Sequence, residues 1–455
     1  MTPFSTHLVR RFVPLALGAL LTTAACGGAP GAVGADAAGG RPPREHAAHS
    51  APGAPGAPGA PGAAGAPAVL AATTPRTQVA PSDVVQLRST FERLLGAHLL
   101  LADEHVRSTL TGDDARASAA VDAVERNEQQ LVDAVASLGG EATGASFGTA
   151  WHRHVDILHD YAVALRDDDA AGAASARTQY TQAESELATV LHGVAGGQLS
   201  LEALTAGATM HGEHLLGQAD AFHRGDFDTA YTLQRTAFAH MIGMADALAR
   251  GIAAAKGLST AELDAPRLDL QSALSRLLAE HMGLMVQAMR AAQDRSPDFD
   301  AAGRAINANT TDLGAAVSLL YGAPASGEFL TIWADHVEAL IQYAGTPDQE
   351  ARNAARQNGV DYAPRLARFL AGATEQRLPA IDLAASLTQH DDHLRRQLDA
   401  WAVDDLDEAQ AQAEQGYGHM FELAQTLATA IGDVVAARLP QGGAATGGGG
   451  RADGD

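Results

Sequence analysis

Between about residue 82 and residue 440, apolar side chains recur every three to four positions, and each run stops at a cluster of Gly, Asp or Pro. That period belongs to helices with one buried face, and those clusters are helix punctuation. The pattern predicts helices over 82–110, 114–138, 146–166, 170–195, 200–223 and 227–255, with turns at Gly112-Asp113, Gly139-Gly140, Asp167-Asp168-Asp169, Gly196-Gly197 and Gly225-Asp226. The plan then repeats, with joints at Pro297, Gly322-Ala323-Pro324, Pro347 and Leu378-Pro379. β-Branched residues never alternate with polar ones as half-buried strands require. Short joints make consecutive helices antiparallel neighbours, so the expected fold is all-α: tandem duplicated up-and-down bundles of about six helices each.

The repetition extends to individual residues, at an offset that drifts from 183 to 179. Leu94, Leu95 and His98 return as Leu277, Leu278 and His281; Asn127 and Leu131 return as Asn309 and Leu313. Phe147, Trp151, His154 and Tyr161 return as Phe329, Trp333, His336 and Tyr343. Further on, His211, His214, Asp226 and His240-Met241 return as His390, His393, Asp405 and His419-Met420. Self-similarity over this distance predicts one module used twice, at 82–264 and 265–440.

The chain outside these repeats reads differently. Arg10 and Arg11 precede an apolar run from Phe12 to Leu21, followed by small residues up to Cys26, the only cysteine. This is the layout of an export signal over 1–25, too short to anchor as a membrane span. The context Thr23-Ala24-Ala25-Cys26-Gly27 resembles the lipobox of bacterial lipoproteins, with Thr23 where Leu is usual. That resemblance implies lipidation of Cys26 and a location on the extracytoplasmic face of the cell membrane. Residues 26–81 are rich in Ala, Gly and Pro, including Gly-Ala-Pro triplets, and read as an extended spacer; 441–455 reads as a disordered tail.

Composition narrows the partners. The 54 Asp and Glu against 31 Lys and Arg give a net charge of −23, which repels nucleic-acid phosphates and attracts cations. No nucleic-acid partner is expected; an envelope protein or a small ligand is.

Histidine carries the candidate chemistry. Of 18 histidines, ten form the five matched pairs: His98 and His281, His154 and His336, His211 and His390, His214 and His393, His240 and His419. His98 stands four residues after Leu94 and seven after Phe91, and His154 three after Trp151, so these imidazoles lie on buried stripes. A buried imidazole needs an acceptor, a donor or a metal. Helix bundles assemble metal sites from inward side chains of facing helices, and His211-x-x-His214 and His390-x-x-His393 have a spacing able to chelate one ion. All ten are therefore candidate metal ligands. With Cys26 lipidated no thiolate remains, and no Glu-x-x-His occurs in the repeats, which disfavours a carboxylate-bridged di-iron site. Imidazole with thioether favours copper, and Met282, Met285 and Met289 follow His281 on one helix; zinc is the second choice.

Glu280-His281, Asn309, Tyr321-Gly322, Trp333, His336, Tyr343, His393 and His419-Met420 resemble the helical region of bacterial surface proteins labelled copper amine oxidase-like. Amine oxidase chemistry needs a Tyr within Asn-Tyr-Asp/Glu for its quinone cofactor, and this chain has no Asn-Tyr pair, so the activity is not implied. Gly144-x-Ser146-x-Gly148 fits the pattern of a nucleophile elbow, but it opens a helix in an all-α context and reads as a loop and helix cap. The expectation is a lipid-anchored helical protein, not an enzyme, that binds copper through repeated buried histidines. The competing reading is a structural or interaction bundle whose histidines are hydrogen-bonded in the core.

Overall fold

In the computed structural model, the described residues are 83–346, 349–358 and 361–438. The expected export signal, Cys26, the spacer, Pro347 and the tail lie outside them. All regular structure among the described residues is helical. Six helices make up the first half: α1 (Asp83–Thr111), α2 (Asp114–Gly139), α3 (Glu141–Arg166), α4 (Ala170–Val194), α5 (Leu201–His223) and α6 (Phe227–Ala255). A short 3-10 turn at Ala261–Asp264 leads to α7 (Pro266–Asp294), α8 (Phe299–Tyr321), α9 (Ala323–Gly345), α10 (Gln349–Asn358), α11 (Tyr362–Ala373), α12 (Ala380–Trp401) and α13 (Leu406–Arg438).

The boundaries follow local chemistry. Side chains of Asp113, Asp169, Ser200 and Asp226 accept from backbone N–H groups in the first turns of α2, α4, α5 and α6. Such caps satisfy donors that a helix start leaves free. Between α2 and α3 stands a single residue, Gly140, at φ 87° and ψ 164°; Gly322 adopts φ 88° and ψ 165° between α8 and α9. Only glycine takes that conformation at low cost, and it reverses the chain without a loop.

This corrects the expected start of the third helix from 146 to 141, and with it the reading of Gly144-x-Ser146-x-Gly148 as a loop. The segment is helical, and its glycines allow α3 to lie close against α2: a Cβ on Gly144 would sit 2.6 Å from Ala136 Cβ, and one on Gly148 3.0 Å from Val132 Cγ2. Ser146 Oγ donates to the Ala142 carbonyl on an exposed face, as an ordinary helical serine does. The second half also departs from six helices, because the stretch matching α4 is divided into α10 and α11.

The halves share one core. Leu99, Leu131, Leu158 and Leu215 belong to the same buried apolar cluster as Met285, Ile306, Leu340 and Leu394. A buried polar network adds direction to the contact: Arg107 on α1 pairs with Asp103 at 2.7 Å and with Asp298 at 3.1 Å, and Gln287 on α7 donates to Asp103 at 2.8 Å and accepts from Gln234 on α6 at 2.9 Å. Charges this deeply buried are tolerable only when paired, so the network holds α1, α6 and α7 in register. α13 is long and apolar enough to cross a bilayer, yet it packs along α7 and α12 and buries Met420, Ala424 and Ala428 there.

Candidate metal centres

In each half three helices converge on one point. α1, α3 and α5 bring His98, His154 and His211 together; α7, α9 and α12 bring His281, His336 and His390. All six rings are buried, and within each triad one nitrogen per ring lies within 4.8 Å of the others. The approach is closest between His98 Nε2 and His154 Nε2, at 3.3 Å, and between His281 Nε2 and His336 Nε2, at 3.4 Å. Ring centroids stand 5.4, 5.4 and 5.7 Å apart in the first triad and 5.5, 5.6 and 5.8 Å apart in the second.

Matched residues outside the triads build the walls. Trp151 packs edge-on against His98 with centroids 4.5 Å apart, and Trp333 lies 4.7 Å from His281. Asn127 on α2 donates to the Leu94 carbonyl at 3.1 Å, and Asn309 on α8 to the Leu277 carbonyl at 3.0 Å. Each of these carbonyls lies one helical turn before the triad histidine of its helix. The asparagines thus tie neighbouring helices together.

A carboxylate stands behind the middle histidine of each triad. His154 Nδ1 donates to Glu184 Oε1 on α4, which fixes the proton on Nδ1 and turns the Nε2 lone pair toward His98. In the second half, Asp391 on α12 lies 3.2 Å from His336 Nδ1, off the best hydrogen-bond angle but within ion-pair reach, and Arg395 holds its other oxygen at 2.8 Å. Burial pushes the Asp391 carboxyl up, but His336 and Arg395 outweigh it and hold the group below its usual range. A tyrosine completes each site. Tyr180 Oη is 3.1 Å from His154 Nε2, whereas the Tyr362 ring lies flat over His336 with centroids 4.1 Å apart.

Several triad nitrogens have no hydrogen-bond partner among the described residues: Nδ1 of His98 and His281, and both ring nitrogens of His211 and His390. Leaving a buried polar atom unpaired costs about 1–3 kcal/mol, and an ion held between the rings would satisfy one nitrogen each of His211 and His390. Burial holds His98 and His281 well below the usual imidazole range, helped by the neighbouring His154 and His336. His211 and His390 are lowered in the same sense, again chiefly by burial. These four rings are therefore neutral, the form that ligates a metal.

Six of the ten candidate ligands meet in this way, and four do not enter a triad. His214 packs against His240 with centroids 5.7 Å apart, and His393 against His419 at 6.3 Å. His214 and His393 thus lie outside the triads that His211 and His390 enter. Residues three apart share one side of a helix but differ by about 60° in direction, and here the first faces the triad while the second faces the last helix of its half. Of the methionines expected to help hold copper, Met282 is turned elsewhere: it lines a groove between α1 and α13, its thioether against Gly416.

Sequence reasoning missed the carboxylates and tyrosines. Tyr180 and Tyr362 are 182 residues apart, within the range of the repeat, and could have been found. Glu184 and Asp391 could not be found by matching, because Leu366 and Gly212 occupy the equivalent positions.

No protein family, no characterised protein and no solved structure significantly matches this chain. The functional reading rests on the geometry.

Proposed function

We propose that each triad is a resident transition-metal site, in a lipid-anchored extracytoplasmic protein that binds metal without catalysing a reaction. One observation carries this reading: in both halves three buried imidazoles converge, and the rings of His211 and His390 have no hydrogen-bond partner among the described residues. The spacing fits an ion. With nitrogen ligands at about 2.0–2.1 Å from a metal, three imidazoles have nitrogens about 3.3–3.6 Å apart and centroids about 5–6 Å apart; the closest nitrogen pair of each triad, at 3.3 and 3.4 Å, and all six centroid separations meet this. Glu184 and Asp391 would orient their histidines and raise their basicity, the usual outer partners of histidine ligands.

Three imidazoles suit copper and zinc alike. With Met282 turned away, the preference for copper rests mainly on the general affinity order, which places copper above zinc. The lipid anchor rests on the Cys26 sequence context, and the non-catalytic role on the lack of catalytic motifs.

Metal analysis of the purified full chain after loading with Cu²⁺ or Zn²⁺, with calorimetric titration, tests the reading. The expected result is two ions per chain and a rise in melting temperature with each metal, larger for copper. No bound ion and no metal-dependent shift would overturn it and favour the purely structural bundle.

A further inference from the structure

Beside each triad the structure holds a second pair of histidines, His214 with His240 on α5 and α6, and His393 with His419 on α12 and α13. These pairs are less buried than the triads: His214 and His240 are partly exposed, and His393 and His419 lie at the edge of burial. Each adjoins its triad closely enough that a charge on His214 or His240 would disfavour one on His211, and a charge on His419 would do so for His390.

One member of each pair is set by the same device in both halves. His240 Nε2 donates to the Gly207 carbonyl at 3.0 Å, and His419 Nε2 to the Ser386 carbonyl at 3.0 Å. Gly207 and Ser386 are themselves 179 residues apart, the repeat offset of this region. The carbonyl fixes the proton on Nε2 and leaves the Nδ1 lone pair free to ligate, an arrangement typical of metal-binding histidines. Opposite, His214 Nδ1 is buried without a hydrogen-bond partner among the described residues, and His393 is oriented by donation from Nδ1 to Gln412 Oε1 at 2.8 Å. Two imidazoles sharing one ion have centroids between about 5 Å at a tetrahedral angle and about 6.3 Å when collinear, which includes both observed separations.

We propose that His214 with His240, and His393 with His419, are outer two-histidine metal sites that capture the ion at the surface and pass it inward to the triads. The proposal rests on the triads being metal sites. A triad sealed in a packed core needs a route for its ion, and each outer pair joins the surface to the triad member on its own helix, His211 on α5 or His390 on α12. Only two protein ligands hold the ion there, against three inside, so transfer runs downhill. The net charge of −23 concentrates cations near the acidic surface from which they load.

The test uses the full chain with Zn²⁺ as the probe, comparing wild type with His214→Gln/His393→Gln and with His240→Gln/His419→Gln. Chelator competition reads affinity, metal analysis reads stoichiometry, and rapid mixing reads the loading rate. Expected for both variants are two tightly held ions at equilibrium, affinity within about threefold of wild type, and loading at least tenfold slower. Unchanged loading at unchanged stoichiometry would overturn the transfer role, as would loss of the tight sites in either folded variant, which would make these histidines ligands of the triad ion. A wild-type chain that takes up no Zn²⁺ would instead overturn the triad reading itself. Circular dichroism confirms the fold of each variant, and His214 is exposed enough that its replacement leaves the core intact.

Discussion

The two triads have the same three-histidine core but are braced from different sides. In the first, the carboxylate is Glu184 on α4, and the matching position on α5 is Gly212. In the second, the carboxylate is Asp391 on α12, and the position matching Glu184 is the buried Leu366. The exchange is reciprocal, because where one helix supplies the carboxylate the other supplies an inert residue. Tyrosine geometry follows from it. A Cβ on Gly212 would sit 2.6 Å from Tyr180 Cε1, so the missing side chain is what lets Tyr180 lean in and reach His154 Nε2. With Asp391 filling the equivalent space, Tyr362 lies flat on His336 instead. A position that merely filled the core would have no reason to keep a carboxylate behind the same histidine by two routes. The comparison teaches that the pairing of carboxylate and imidazole is the retained feature, and the helix that supplies it is free.

The largest expected effect is loss of one site while the other stands. His154→Ala should reduce the bound metal from two ions per chain to one, and His336→Ala should do the same from the other side. Metal analysis of both variants and of the double variant, expected to bind none, checks that the sites act separately. A single variant that emptied both would show that the halves are coupled through the shared core.

Acid should act on the two triads alike, because burial rather than the carboxylate is the main cause of the depressed pKa values of His98, His211, His281 and His390. Their folded pKa values lie below the unfolded value near 6.5, so below that pH the unfolded chain binds more protons. Stability of the metal-free protein is therefore fully present above about pH 6.5 and falls as the pH drops, by about 1.4 kcal/mol per pH unit for each such residue while it stays neutral in the fold. Urea melts of the metal-free chain at pH 7.5 and 5.5 should show a lower midpoint at 5.5. His98→Gln and His281→Gln should flatten that dependence to a similar degree, and a change confined to one of them would break the symmetry.

Much of this was legible in the sequence, and the limits have physical causes. Helical period and caps are local, so the six helices of the first half could be placed to within a residue or two, apart from the start of α3. That start was hidden because Gly140 turns the chain in one residue, whereas the glycines further on looked like a loop. The buried stripe identified His98, His154 and His211 as inward-facing, but also His214 and His240. Sequence spacing gives the face of a helix, while the crossing of three helices decides which imidazoles meet at one depth. Internal matching located every triad histidine and could not locate Glu184 or Asp391, since a function kept by exchange leaves no matched residue.

The exchange itself can be tested by rebuilding one site as the other. Glu184→Leu should weaken metal binding at the first triad by about 10- to 100-fold, the usual effect of losing an outer partner of a histidine ligand. Adding Gly212→Asp to that variant should recover at least part of the loss, since it restores the arrangement of the second triad. Titrations in a His336→Ala background isolate the first site. Failure of Glu184→Leu to weaken binding would remove the carboxylate from the account.

The smallest effect should separate the two tyrosines. Tyr180 Oη lies 3.1 Å from His154 Nε2 and, as a donor, occupies the lone pair that an ion needs. Burial first, and then Glu184, hold its hydroxyl well above the usual tyrosine range, so it stays a protonated donor at neutral pH. Binding at the first triad must break that bond, whose net worth is about 0.5–1.5 kcal/mol. Tyr180→Phe should therefore tighten metal binding at the first site by roughly two- to tenfold. Tyr362 meets its histidine through ring stacking, and that contact survives removal of the hydroxyl, so Tyr362→Phe should leave the second site unchanged. Calorimetric titration of each phenylalanine variant, with the opposite triad disabled, resolves the difference. Weaker binding after Tyr180→Phe would mean that the hydroxyl supports the ion instead of competing with it.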